Sequence, residues 1–191
     1  NASTRLQWDG SAAFYRDAWQ WDLAPSPNVQ CHTYDATGNH LPAYDESPAS
    51  GADMGISSAW AITRGQGVTI AIVDSGCQTN HPSIRSHVVG GTAISPSTDW
   101  STDATGHGTA LASVIAGVAP EASLFVIKCT TRSVSLPPAI AAAKSAGASI
   151  MVLAWGFTEN DAIAKNALIN SGLTIVCAGK NSAMDAASGA D

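Results

Sequence analysis

Basic residues are scarce in this chain. Lysine and arginine together number 9 against 15 aspartates and glutamates, for a formal net charge of -6 over 191 residues, and they are scattered without a basic run. That distribution argues against a nucleic-acid partner, because a groove for phosphates needs concentrated positive charge. Charged residues make up only 13% and hydrophobic residues 45%, the balance of a globular chain low in charge and not of a disordered one. No apolar run approaches the ~20 residues that a bilayer-spanning helix requires, so no membrane span is expected. Repeats and low-complexity segments are lacking as well. The glycine-rich phosphate fingerprints Gly-x-Gly-x-x-Gly and Gly-x-x-x-x-Gly-Lys-Ser/Thr are also missing, which leaves little for a nucleotide-binding reading.

Cysteine is sparse too. Cys31, Cys77, Cys129 and Cys177 are too widely spaced for a zinc site and too few for a disulfide-dense scaffold. The last three stand beside or within apolar strand segments and are expected to be buried free thiols, with one or two disulfides left open if the protein is secreted. The chain starts at Asn1 with no Met and no basic, apolar leader, from which we expect a secreted or extracytoplasmic protein whose leader or propeptide has been removed. Asn1-Ala2-Ser3 reads as a glycosylation sequon on the terminus.

What is there begins with an arm that is hard to interpret. Residues 1–55 mix Trp8, Trp19 and Trp21 with Asp, Ser, Pro and Gly, and hold one weakly helical stretch near residues 12–19. A second such stretch, 56–62, opens the next domain. Pro25, Pro27 and the segment 42–51 mark loops. The tryptophans are expected to pack onto the main sheet. From Val68 onward the pattern alternates. Strands are predicted at 68–73, 123–128, 149–153 and 173–177, and helices at 107–117, 137–147 and 159–171, with a long loop between the first strand and the first helix. Pro137 and Pro138 fall where a helix start tolerates proline, and Gly147 and Gly172 fall where helices stop. Continuous apolar strands alternating with helices predict an α/β fold, a parallel sheet with helices on both faces. Function in such a sheet belongs at the carboxyl ends of the strands.

Two stretches carry chemistry. Val68-Thr69-Ile70-Ala71-Ile72-Val73 is a β-branched run that delivers Asp74, Ser75 and Gly76 to a strand end. In Gly106-His107-Gly108-Thr109, a histidine stands between two glycines at the head of a helical run in which Leu111, Val114 and Ile115 fall at helical spacing. The other positions are small, so the helix can lie close to a sheet, and the flanking glycines let other groups approach the ring. An Asp that orients a His gives a general base suited to neutral pH. An Asp after a strand also serves as a turn or cap residue, and a Gly-flanked His as a loop residue. The pair needs a third member.

These residues resemble the subtilisin-like serine proteases. Ala59-Trp60 through Gly65-Gln66-Gly67-Val68, Ile72-Val73-Asp74-Ser75-Gly76 and His81-Pro82 look like that family's first catalytic block. Gly106-His107-Gly108-Thr109 with Ala112 and Ile115-Ala116-Gly117 resembles the second, and Val118-Ala119-Pro120-Glu121-Ala122 with Leu124-Phe125-Val126-Ile127-Lys128 matches the strand that follows. The resemblance covers about Ala59 to Asn181 and implies that residues 56–191 are the N-terminal part of a subtilisin-like catalytic domain, incomplete at its C-terminus. It implies Asp74 and His107 as catalytic residues, and Asn181 as the oxyanion donor, a contact worth ~3 to 4 kcal/mol in that family. The family places Ala-Gly-Asn there, whereas Cys177-Ala178-Gly179 runs into Lys180 before Asn181, so either side chain could face the oxyanion. Ala154-Trp155-Gly156 resembles the segment that pairs with substrate backbone, although a Trp after a strand is equally a core residue.

Departures bear on function. Gly117 runs directly into Val118 where many members carry a calcium-wrapping insertion, so no metal is expected there, and acyl transfer to serine requires no cofactor. The loop 130–136 is short and lacks the usual glycines of a substrate-facing segment. The Gly-Thr-Ser-Met-Ala nucleophile block is not found, and neither Ser182 nor Ser188 stands in a similar motif. Two readings follow. In one, the chain is part of a serine endopeptidase acting on a peptide or protein substrate, its serine supplied by a C-terminal segment or partner chain. In the other, it is a catalytically inactive subtilase-like domain acting as a binding or structural subunit.

Overall fold

The computed structural model describes residues 29–31, 44–46, 56–129, 133–156 and 161–178. The chain divides into two compact units, Asn1–Arg64 and Gly65–Asp191. In the first, β1 (Val29–Cys31) pairs antiparallel with β2 (Tyr44–Glu46), and α1 spans Ile56–Trp60. The expectations for Trp8, Trp19, Trp21 and the stretch 12–19 lie outside the described residues.

The second unit contains the strands β3 (Thr69–Asp74), β4 (Val88–Ala93), β5 (Ser123–Lys128), β6 (Ile150–Leu153) and β7 (Thr174–Cys177). They form one sheet in the order β4-β5-β3-β6-β7, and every pair is parallel. The helices are α2 (His107–Val118), α3 (Leu136–Ser145), which follows a 3-10 turn at Ser133–Ser135, and α4 (Ala162–Ile169).

The apolar run of β3 is buried on both sides, which is why it reads as continuous and does not alternate. Ile70 and Ile72 pack with Leu124 and Val126 of β5 and with Ala112 and Ala116 of α2. Ala71 and Val73 belong to a second core with Leu136, Ala139, Ile140 and Ala143 of α3 and Ala164 of α4. Helices therefore cover both faces, as the alternation predicts. Asp74 ends the central strand, with β5 on one side and β6 on the other.

The segment between the first strand and the first helix is more than a loop. It contains β4, whose Gly90 and Gly91 weaken its sequence signal and which bulges between Val88 and Gly90. Pairing with β5 holds it as an edge strand, Thr92 opposite Ile127. Gly91 is required there: a Cβ would stand 2.4 Å from the Trp100 ring.

Local chemistry explains the helix ends. Pro137 and Pro138 sit in the first turn of α3, where their missing N–H groups cost nothing. Gly147, at φ 73°, closes that helix, and the Ala148 N–H bonds back to the Ala143 carbonyl at 3.0 Å. α4 is shorter than its predicted span of 159–171. Asp161 sets its start by accepting the Ala164 N–H at 2.9 Å, and Asn170 caps its end.

Candidate active site

Asp74 stands at the carboxyl end of β3 with 4% of its surface exposed, and His107 is the first residue of α2. The two segments are 33 residues apart in sequence and meet edge to edge. His107 Nδ1 lies 2.8 Å from Asp74 Oδ1 and 2.9 Å from Oδ2, so its N–H is shared by both oxygens. Asp74 Oδ1 also accepts the Ser75 N–H at 2.7 Å. A carboxylate bound to Nδ1–H fixes the tautomer in which Nε2 is the proton acceptor. With 59% of the His107 side chain exposed, Nε2 is the nitrogen left to meet a reactant.

The His107 segment is tied to the sheet from several directions. Gly108 is required because a Cβ there would stand 2.1 Å from the Gly76 carbonyl oxygen and 3.1 Å from Asp74 Oδ1. Gly76 has its own constraint, a Cβ falling 2.1 Å from the Thr102 carbonyl oxygen. Lys128, at the end of β5, donates to that same carbonyl at 2.8 Å and to the Thr102 hydroxyl at 3.3 Å. The backbone around Thr102 is thus pinned between two strand ends.

A second carboxylate, Asp103, is nearly as buried as Asp74, at 6% exposure. Oδ2 accepts the Thr109 N–H at 2.8 Å and the Thr109 hydroxyl at 2.6 Å, and Oδ1 accepts the Gly106 N–H at 3.0 Å and the Ser75 hydroxyl at 2.8 Å. Burial alone raises the pKa of such a group. The hydrogen bonds from Thr109, Ser75 and Thr105 outweigh that effect and bring Asp103 down from 3.8 to about 2. Asp103 escaped the sequence reading. Its signal was an Asp standing three residues before Gly106, in Asp103-Ala104-Thr105-Gly106 just ahead of the His107 helix, a place where a short acidic side chain bonds the backbone that follows it.

Two buried thiols flank the site. Burial, and after it the charge of Asp103, pushes Cys77 up to about 11 against the lowering effect of a Thr109 hydrogen bond. Burial and the charge of Asp74 push Cys129 up to about 11. Both stay protonated near neutrality and are poor nucleophiles. Cys77, Cys129 and Cys177 are all free, but Cys177 is exposed, which corrects the expectation that it is buried: among the described residues its strand β7 pairs with β6 alone. Cys31 lies outside the described side chains.

β6 pairs in register with β3, Leu153 opposite Val73, so Ala154, Trp155 and Gly156 leave the sheet at the same edge as Asp74. Trp155 is half-buried and packs against the core under α3 and α4, while Gly156 is exposed. Ala178 continues from β7 at that edge, its N–H bonded to the Leu153 carbonyl at 3.0 Å. Lys180 and Asn181 lie outside the described residues, as do Ser182 and Ser188. Among the described residues no group of three or more His, Cys, Asp or Glu side chains is placed to hold a metal ion, and no helix is long and apolar enough to cross a membrane.

The family model described as the subtilase family matches residues 65–191. The chain belongs to the subtilase family. This subtilase is 33% identical over 141 residues to thermitase of Thermoactinomyces vulgaris, a match that covers 64% of this chain and 50% of that protein. It is 37% identical over 84 residues to the intracellular serine protease of Paenibacillus polymyxa, covering 37% of this chain and 26% of that protein. The solved structure of the nisin leader peptidase NisP from Lactococcus lactis matches at a TM-score of 0.52 and 18% identity, covering 63% of this chain and 46% of that one, which is a likeness of fold. The subtilase chain spans half or less of the length of these relatives. Asp74 and His107, the two residues that the resemblance implied as catalytic, are brought into contact by its fold.

Proposed function

We propose that the protein carrying this chain is a serine endopeptidase of subtilisin type, with its nucleophilic serine in a segment outside these 191 residues. The contact that carries the reading is His107 Nδ1 on buried Asp74, which leaves Nε2 at the exposed sheet edge. In the proposed reaction Nε2 takes the proton of the serine hydroxyl as its oxygen bonds to the scissile carbonyl carbon. Asp74 holds the ring and stabilises the imidazolium. The proton then passes to the departing amine as the C–N bond breaks, and water releases the acyl group by the reverse sequence. Asn181, with a backbone N–H, is our candidate for the oxyanion, and Ala154, Trp155 and Gly156 for holding an extended peptide by strand addition.

A fluorophosphonate probe tests this, because it reacts readily only with a serine activated by a working base. In the full-length protein we expect a single labelled serine, and His107→Ala to abolish labelling and lower kcat by roughly 10^6, the scale found for subtilisin. A parent protein that takes no label and cleaves no peptide would support the other reading, a domain that serves as a binding or structural subunit.

A further inference from the structure

We propose that Asp103 is a positioning residue for the Asp74–His107 pair, acting through Ser75 and the first turn of α2. The inference rests on the peptidase reading for its kinetic consequences, and on the geometry alone for its structural ones.

The first four N–H groups of a helix have no partner inside it, and the usual remedy is a side chain at the N-cap. Here the N-cap is Gly106, held at φ 76° with no side chain to offer. The turn that carries His107 is satisfied from elsewhere. The Gly106 N–H bonds to Asp103 Oδ1 at 3.0 Å, the His107 N–H to Thr105 Oγ1 at 3.3 Å, the Gly108 N–H to Ser75 Oγ at 3.1 Å, and the Thr109 N–H to Asp103 Oδ2 at 2.8 Å. Of the three side chains involved, Asp103 is the hub. Beyond Gly106 and Thr109 it accepts the Thr105 N–H at 3.3 Å.

Ser75 joins this hub to the catalytic carboxylate. Its hydroxyl lies 2.8 Å from Asp103 Oδ1 and 3.0 Å from Asp74 Oδ1. One hydroxyl has one proton, so Ser75 donates to one carboxylate at a time. While Asp103 takes that proton, Asp74 keeps the Ser75 N–H and the His107 N–H as its donors. Ser75 Oγ meanwhile accepts the Gly108 N–H at 3.1 Å, and the one proton of the Thr105 hydroxyl goes either to Ser75 Oγ, 2.8 Å away, or to Asp103 Oδ1, 3.1 Å away. Asp103 thereby fixes the backbone that carries His107 and keeps the Ser75 hydroxyl from competing with the ring for Asp74.

Asp103→Asn tests the idea, since an amide of the same size must turn an NH2 group toward donors it cannot accept from. In the full-length protein we expect kcat on a peptide substrate to fall roughly 10- to 100-fold, the scale of a small misplacement of a catalytic group. KM should stay within about twofold, because no substrate contact is touched. The downfield proton resonance of the His107 Nδ1–H should shift or broaden. Ser75→Ala, which leaves Asp103 its Thr105, Gly106 and Thr109 partners, should move the same readouts less. The double variant should be no worse than Asp103→Asn, because the two act in series. A folded Asp103→Asn with parental kcat and an unmoved resonance would overturn the proposal, as would losses that multiply independently or that only follow the folded fraction. Should Asp103→Asn fail to fold, Ser75→Ala decides: unchanged kcat and resonance overturn it. If the parent itself shows no peptidase activity or label, the peptidase reading fails separately, and the His107 resonance still decides the positioning role.

Discussion

The two glycines beside His107 do different work. Gly106 has nothing within 4 Å of where a Cβ would be, so what it supplies is the φ of 76° that side chains rarely adopt. Gly108 supplies space, because the end of β3 presses against its Cα. Gly108→Ala must therefore push α2 away from Asp74. We expect it to lower the thermal midpoint by several degrees or more, about 1 to 3 kcal/mol for an overpacked site, and to weaken the Asp74–His107 contact, as read by the histidine ring proton. A midpoint and ring proton equal to the parent's would show that the close approach is not obligatory. The sequence marked both glycines as places where groups come close to the ring. Only the backbone angles and neighbours separate conformational need from steric need.

At the scale of the element, α2 sets its small residues against the sheet, with Leu111 and Ile115 packed beside them. Leu111, Val114 and Ile115 repeat at helical spacing, yet Val114 is 46% exposed, while Gly108, Thr109, Ala112 and Ala116 are buried. The reason is distance. A helix set close to a sheet presents its stripe of small residues, here 108, 112 and 116 at intervals of four, and lets longer side chains spread at the flanks. Ala112→Leu should accordingly cost about 1 to 3 kcal/mol by overpacking against Ile70 and Ile72, whereas Val114→Ser should change stability by no more than about 0.5 kcal/mol. Chemical denaturation of the two variants checks the pair, and equal effects would place the helix face wrongly.

For the whole molecule, the buried carboxylate network makes folding pH-dependent. Asp103 is lowered from 3.8 to about 2 in the folded chain, so the unfolded chain takes up its proton first as pH falls. The stabilisation is complete above about pH 4 and is lost between there and about pH 2. Asp99, lowered by hydrogen bonds from Ser101, adds to the same trend from an exposed position. Urea unfolding followed from pH 5 to pH 2 should show stability falling through that window, and a flatter slope in Asp103→Asn. Much of this architecture is legible in the sequence. The apolar run Ile70-Ala71-Ile72-Val73 specifies a strand buried on both faces, the alternation of such runs with helical segments specifies a parallel sheet, and Pro137, Gly147 and Gly172 punctuate it, because periodicity and backbone restriction are local properties. Asp74 at a strand end and the Gly-flanked His107 suggested a pair, and the resemblance to the subtilisin-like proteases is what implied their roles. What only the tertiary structure decided depends on partners distant in sequence: β4, which its glycines conceal until β5 pairs with it; the face that α2 turns to the sheet; and Asp103, an ordinary loop aspartate until Ser75, from a strand end 28 residues away, brings it a hydroxyl.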